Sequence, residues 1–229
     1  MLATAYAVAQ VKGIEIDPYE IAAKMGRGYV SGIGIATFLY GGLIVDSGVS
    51  RESLKLAEVD PSAIPRPLLR LDVPEEWRFV LVTPPGKGLS DEEERKALEN
   101  PVQLPVEKRA ELLECLVLGI LRGVALRDVE VFGRALTRLQ RIVGEYFSEY
   151  QGGVFAYGRG EEIASILRDC GASGVGQSSW GPLIYGVVGS PSQADKTARC
   201  VEKALREASI DADVDIAKPR NRGFEIEAL

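Results

Sequence analysis

The chain contains no histidine. That absence excludes Ser-His-Asp and Cys-His catalysis, imidazole metal sites and the usual general base near neutral pH. Positive charge is not in excess either, since 27 Lys and Arg stand against 33 Asp and Glu for a formal net charge of −6. Such a balance invites neither a nucleic-acid backbone nor an anionic bilayer, so no nucleic acid and no membrane is expected as a partner. Cysteine is scarce: Cys115, Cys170 and Cys200 are far apart, odd in number and never arranged as CxxC. Neither a disulfide framework nor a zinc site is therefore expected, and a reducing, cytoplasmic location is the simplest. No apolar run approaches the ~20 residues of a spanning helix. The start, Met1 to Val11, is apolar but has no basic leader and no clear small-residue cleavage site, so it is not read as a signal peptide.

What is present suits a folded chain. Its 229 residues, 46% hydrophobic and 26% charged, correspond to one large domain or two modest ones at about 150 residues per domain. MLATAYAVAQVKG reads as a buried, alanine-rich helix closed by Gly13, but its apolar pattern is already running at residue 2 with no capping residue before it. Asp17 and Pro18 open a second short helix that stops at Gly26. A glycine-rich loop follows, then a helix around Ile35 to Tyr40 and a strand around Leu43 to Asp46. Four prolines among many charges make residues 50–76 read as a connecting segment, with the domain boundary nearby. RFVLVTP, residues 78–84, is a buried strand; Asp91 to Leu98 is a short helix; Val106 to Arg122 is a second, its later turns apolar nearly all round and hence central.

The longest helix is expected from about Arg127 to Phe147, with Val129, Phe132, Leu136, Leu139, Val143 and Tyr146 on one face. Arg134, Arg138 and Arg141 lie elsewhere and are read as a solvated face rather than an anion patch. Helix Glu161 to Asp169, a Gly/Ser loop from Gly171 to Gly181, strand Leu183 to Val188, a helix opened by Ser190 and Pro191, and strand Asp211 to Ala217 complete the chain. The alternation implies an α+β sandwich with helices on one face of a mainly antiparallel sheet.

Four places carry candidate chemistry. In CGASGVGQSSWGPLIYGVV, residues 170–188, Gly174 and Gly176 allow close backbone approach while Ser173, Gln177, Ser178 and Ser179 supply neutral donors, a composition suited either to an anion or to a tight connection. Trp180 there either anchors the loop or offers a face to a ring-shaped ligand. GRGYVSGIG places Arg27 where it could grip a phosphate or carboxylate, with Ser31 and Gly32 beside it, or where it merely ends a helix. Asp46 closes a strand and could ligate Mg²⁺ or begin a turn. TPPGKGLS carries Lys87 on a loop after a strand but lacks the full Walker pattern. Asp211, Asp213 and Asp215 alternate along a strand, read as its solvent face in preference to a metal row.

Taken in order, GRGYVSGIGIATFLYGGLIVDSG, WRFVLVTPPGKGLS, DVEVFGRALTRLQRIVGEYFSEYQGG and GVGQSSWGPLIYGVV resemble the β-ribofuranosylaminobenzene 5′-phosphate synthase family of the GHMP kinase superfamily. This archaeal-type family serves tetrahydromethanopterin biosynthesis. The resemblance covers nearly the whole chain, and GVGQSSWGP is its specific part, since ordinary superfamily kinases show a plainer glycine- and alanine-rich motif there. It implies an α+β, GHMP kinase-like fold: a partial N-terminal domain over residues 1–75, then a ferredoxin-like α/β sandwich C-terminal domain over 76–229. The superfamily's phosphate-binding loop would fall before Met1, so the chain is expected to begin inside the helix which that loop opens. Either the start was assigned too late, the chain is a fragment, or another polypeptide supplies the rest.

The implied reaction condenses phosphoribosyl diphosphate with a 4-substituted benzoate, 4-hydroxybenzoate or 4-aminobenzoate, releasing CO2 and diphosphate with Mg²⁺ as cofactor. Under that resemblance Arg27, Asp46 and Lys87 are the catalytic candidates, Asp46 also being the metal candidate. Ser31, Gly32, Ser173, Gly174, Gly176, Gln177, Ser178, Ser179 and Trp180 are expected to bind substrate, and the assembly is expected to be a homodimer. The alternatives are an ATP-dependent small-molecule kinase of the same superfamily and a non-catalytic subunit that needs a partner.

Overall fold

The computed structural model describes residues 2–50, 52–55, 59–88, 91–99 and 103–227. They fall into two compact units, Met1–Val73 with Leu98–Asn100 and Arg220–Leu229, and Pro74–Ala97 with Pro101–Pro219. No described helix is long and apolar enough to cross a membrane.

In the first unit, α1 (Leu2–Val11) ends at Gly13, whose φ of 62° is the left-handed closure expected of it. Asp17 caps α2 (Pro18–Lys24) by accepting from the Tyr19 amide at 2.7 Å. After α3 (Ile33–Tyr40), β1 (Leu43–Asp46) pairs antiparallel with β2 (Pro67–Leu71). The expectation of a plain connector over residues 50–76 is corrected by β2. Proline is tolerated at a strand's first residue, and Leu68, Leu69 and Leu71 were masked by the surrounding prolines and charges. The segment 220–224 straps onto this unit. Phe224 stacks on Phe38 with centroids 4.5 Å apart, and the Asn221 side chain brackets Val73, accepting from its amide at 2.9 Å and donating to its carbonyl at 2.8 Å.

The second unit begins with β3 (Arg78–Thr83), followed by α4 (Asp91–Glu99) and α5 (Val106–Glu114). A π-helical turn, Cys115–Leu121, joins α5 to α6 (Arg122–Leu126), making one continuous rod. The rod is not central as expected: Gly119, Ile120, Gly123 and Val124 are buried, but Val117, Leu118 and Leu126 face solvent. Asp128 caps α7 (Val129–Tyr146) through the Glu130 and Val131 amides. Then come α8 (Ser148–Gln151), α9 (Gly160–Asp169), β4 (Gly174–Gln177), β5 (Ile184–Val188), α10 (Pro191–Glu207) and β6 (Asp213–Ala217).

The sheet runs β4-β5-β3-β6 with every pair antiparallel. With helices between β3 and β4 and between β5 and β6, this is the split arrangement of a ferredoxin-like sandwich. Val80, Val82, Ile184 and Val188 pack with Ile163 and Leu167 of α9 and Val201 and Leu205 of α10 in one core. Asp211, Asp213 and Asp215 are exposed on and beside the edge strand β6. Charge there discourages pairing with another sheet edge.

Two further expectations are corrected. The stretch from Gly171 to Gly181 is not all loop, because Gly174–Gln177 forms β4. Its free edge is satisfied by α7, where Thr137 Oγ1 accepts from the Val175 amide at 2.9 Å and Gln140 Oε1 from the Gln177 amide at 3.0 Å. Glycine is required because Gly174 lies directly against Gly133 of α7, and a Cβ on either would overlap the other segment's backbone. Cys170 and Cys200 are not unpaired: a disulfide joins the end of α9 to α10. Packing of two helices on one sheet face sets that proximity, and a separation of 30 residues in the sequence gives no sign of it.

Candidate functional site

In the first unit GRGYVSGIG forms the turn between α2 and α3. Asp46, the last residue of β1, reaches back over it. Its Oδ2 accepts from the Gly32 amide at 2.9 Å and the Ser31 hydroxyl at 3.2 Å, and its Oδ1 accepts from the Gly48 amide at 3.1 Å. Ser31 Oγ accepts in turn from the Ile33 amide at 3.1 Å. One carboxylate and one hydroxyl thus hold the start of α3, and three predicted residues, Ser31, Gly32 and Asp46, are brought together. Gly32 has no room for a side chain, since a Cβ would overlap the Pro65 carbonyl. Arg27 is exposed on the same turn, its amide tied to the Ala22 carbonyl at 2.8 Å. A carboxylate offers about four acceptor positions, so Asp46 keeps capacity beyond its three bonds. A single carboxylate suits Mg²⁺ when substrate phosphates and water supply the other ligands. Among the described residues no group of three or more His, Cys, Asp and Glu could enclose an ion by itself.

In the second unit, two loops meet at one end of the sheet. The Gly88 backbone lies against the turn that follows β4, so that a Cβ on Gly88 would sit 2.7 Å from the carbonyl oxygens of both Trp180 and Gly181. Lys87, exposed, is therefore carried beside the Ser178–Gly181 turn. That turn is closed by the Gly181 amide donating to the Ser178 carbonyl at 2.9 Å and by the Ser178 amide donating to Leu183 at 3.0 Å. Ser178 and Ser179 are exposed; Trp180 is half-buried, with its ring edge-on to Phe147 at 4.9 Å. Trp180 thus both anchors the turn and keeps part of its surface open.

The other predicted residues of this segment lie in β4 or just before it. Ser173 and Gly174 sit at the opposite end of β4 from Ser178. The Ser173 hydroxyl donates to Glu130 at 2.5 Å. Gly176 lies under the Tyr185 ring, where a Cβ would stand 2.7 Å from the phenol oxygen. Burial pushes the Tyr185 phenol above its ordinary range. Gln177 is buried and engages its whole amide: Oε1 accepts from Ala156 at 2.7 Å, while Nε2 donates to Ser179 at 2.9 Å and Gln151 at 3.2 Å.

Sequence reasoning missed the support beneath the turn. Gly133, Thr137, Gln140, Gly144, Phe147 and Gln151 recur every four and three residues along α7 and α8. All but Gly144 touch β4 or the turn after it, and Gly144 lies against Val154. The signal was present as a helical stripe of small and polar residues, overshadowed by the adjacent apolar stripe.

Comparison with known proteins agrees with this architecture. Residues 120–207 match the model of the GHMP kinases C-terminal family. The beta-ribofuranosylphenol 5′-phosphate synthase of Archaeoglobus fulgidus is 34% identical, over 99% of this chain and 69% of its own length. The protein of the same name from Methanothermobacter thermautotrophicus is 31% identical, over 97% of this chain and 66% of its own. The chain thus spans about two thirds of these relatives. Among solved structures, homoserine kinase from Cytophaga hutchinsonii superposes with a TM-score of 0.70 at 20% identity, over 97% of this chain and 64% of that one. Mevalonate kinase from L. major, solved with R-mevalonate, gives 0.63 at 15%, over 95% and 64%. The fold is therefore GHMP kinase-like, and the chain belongs to the beta-ribofuranosylphenol 5′-phosphate synthase family.

Proposed function

We propose that the chain serves as a phosphoribosyl-type transferase of tetrahydromethanopterin biosynthesis, joining phosphoribosyl diphosphate to 4-hydroxybenzoate or 4-aminobenzoate. The observation that carries the reading is identity of 34% to a synthase of this name across 99% of the chain. The Lys87 loop set against the Ser178–Trp180 turn supports it, as a place where a cation, hydroxyls and an aromatic face adjoin.

The chemistry balances without an external acid or base. The ring carbon bearing the carboxylate attacks the ribose carbon, and diphosphate leaves with the electron pair of the broken C–O bond. The ring–carboxylate bond then breaks, its electrons restore aromaticity, and CO2 departs. No proton is taken up or released, consistent with a chain that has no histidine. The requirements are charge stabilisation of the departing diphosphate, exclusion of water and placement of the ring. Within the second unit, Lys87 is assigned to anionic phosphate oxygens, the Ser178 and Ser179 hydroxyls to the benzoate carboxylate, and Trp180 to the ring face. In the first unit, taken by itself, Arg27 is the candidate for an anionic group, and Asp46, with Ser31 beside it, would be the residue to hold Mg²⁺.

The test is calorimetric titration of this chain with phosphoribosyl diphosphate and Mg²⁺, then 4-hydroxybenzoate, with ATP in a parallel arm, followed by release of labelled CO2 from carboxyl-labelled substrate. Binding of the diphosphate sugar, silence with ATP and release of label that requires both substrates are expected. ATP binding with phosphorylation of an alcohol overturns the reading in favour of a kinase. Silence in every arm overturns it for this chain and points to a subunit whose site needs a partner.

A further inference from the structure

The Cys170–Cys200 disulfide has two unlike ends. Cys170 closes α9 and packs against the core of its unit, whereas Cys200 is exposed on α10. Charge divides them in the same sense. Residues three and four apart on a helix are neighbours, so the exposed Lys196 and Lys203 flank Cys200 along α10, with Arg199 adjoining it. Lys203 reaches Glu207 at 3.6 Å, but with side chains 73% and 67% exposed that pair leaves its charge weakly neutralised. Asp195 and Glu202 lie about half a turn round the helix from Cys200. At the other end Asp169 adjoins Cys170, and the aligned carbonyls of the α9 C-terminus disfavour a further negative charge. The thiolate, the reactive form of cysteine, is thus favoured at Cys200 and disfavoured at Cys170.

Exposure, a stabilised thiolate and a second cysteine within reach are what reversible thiol chemistry requires. We propose that Cys200 and Cys170 form a thiol-exchange couple, in which Cys200 takes up an anionic low-molecular-weight thiol from its disulfide and Cys170 resolves the adduct. In the first step the Cys200 thiolate attacks one sulfur of R–S–S–R. A bond forms from Cys200 Sγ to that sulfur, the original S–S bond breaks, and RS⁻ leaves with its electron pair. In the second step the Cys170 thiolate attacks Cys200 Sγ and expels the other RS⁻, closing the disulfide. The chain gives up two electrons and two protons, and the small disulfide is reduced to two thiols. Cys170 suits the second step, because a thiolate that is harder to form is the stronger nucleophile. The three cations around Cys200 favour an R group that carries carboxylates. The turn after α9 has other ties to α10 through this cycle: the Thr197 hydroxyl donates to the Cys170 carbonyl at 3.0 Å, and the Gln193 side chain donates to the Gly171 carbonyl at 3.0 Å.

The test mixes the full chain, reduced and freed of reductant, with dithiodiglycolate, hydroxyethyl disulfide or cystamine, which carry negative, neutral and positive groups. Acid quenching and peptide mass mapping read where the adduct sits, and circular dichroism confirms the fold of each variant. Each rate is divided by that of the same chain unfolded in urea, which removes the intrinsic reactivity of the reagent. In wild type the adduct is expected on the Cys200 peptide, short-lived and replaced by the Cys170–Cys200 disulfide, whereas Cys170→Ser should retain it. The normalised rates are expected to fall by about threefold from negative to neutral and again from neutral to positive, the scale of exposed charge pairs. Lys196→Gln combined with Lys203→Gln should level them. Cys200→Ser, which leaves Cys170 alone, should react more slowly than Cys170→Ser by about tenfold. An adduct chiefly on Cys170, no adduct on either cysteine, rates indifferent to reagent charge, or a wild-type adduct that persists without closing the disulfide each overturns the proposal.

Discussion

Gln177 shows how one side chain can fix a functional turn from below. Its amide bonds to Ala156, Ser179 and Gln151, three points on two chain segments, from a buried position. A buried donor or acceptor left without its partner costs about 1–3 kcal/mol. Gln177→Ala, which strands several at once, is expected to lose about 3 kcal/mol and to loosen the Ser178–Gly181 turn. Chemical denaturation reads the first effect, and faster proteolysis within residues 178–183 the second. Equal loss of stability without faster cleavage there would remove Gln177 from the role of turn support. Cys115 gives a second expectation at this scale. Burial raises its thiol above the ordinary range, with the nearby Glu111 adding to the rise. Since the thiolate is the reactive form, Cys115 is expected to react with iodoacetamide at neutral pH far more slowly than in the unfolded chain. Labelling at the unfolded rate would show that the rod opens readily.

Between elements, α7 is the organising helix, with the π turn on one side and β4 on the other. A Cβ on Gly133 would overlap the Ser173 carbonyl, whereas one on Gly158 meets nothing within 4 Å. Gly133→Ala should therefore destabilise the fold by about 1–3 kcal/mol through overpacking, and Gly158→Ala should be close to neutral. Equal unfolding midpoints would refute the close helix–strand approach. The α5–α7 contact also has a pH signature. The Arg138 guanidinium hydrogen-bonded to Glu111, aided by Lys108 at 3.2 Å, holds that carboxyl below its ordinary range. A lowered carboxylate pKa contributes stability above the unfolded-state value, and that contribution fades as pH falls through the folded value. Glu111→Gln should thus be less stable than wild type at pH 7, with the difference closing in acid; a gap that persists there would trace to packing instead.

These elements also mark what was legible. Asp17 and Ser190 announced helix starts because a cap is a local interaction, and β3 and β5 were visible as apolar runs. Two strands escaped. β2 was hidden by proline, and β4 by glycines whose purpose, admitting α7 and Tyr185, depends on residues distant in the sequence. The grouping of Ser31 with Asp46 across 15 positions, and of Lys87 with the Trp180 turn, likewise arises from strand ends that only the folded sheet aligns.

On the scale of the whole chain, the Cys170–Cys200 disulfide belongs to one unit only. It closes a loop of 30 residues between α9 and α10, and cross-linking a loop of that size removes about 3.6 kcal/mol of unfolded-state entropy. Reduction should therefore weaken the unit built on β3–β6 without touching any bond within the other. The sequence supplies the reporter, because both tryptophans, Trp77 and Trp180, lie in the disulfide-containing unit. Trp77 is buried against Phe132 and Trp180 rests on Phe147, so both emissions change when that unit opens. Adding reductant is expected to lower the denaturation midpoint followed by tryptophan fluorescence. Hydrogen exchange should report faster opening in α9 and α10, while amides of α2 and α3 keep their protection. Loss of protection in both units together would mean that the chain unfolds as one cooperative block; an unmoved fluorescence midpoint would mean that the helices hold their place on the sheet without the cross-link.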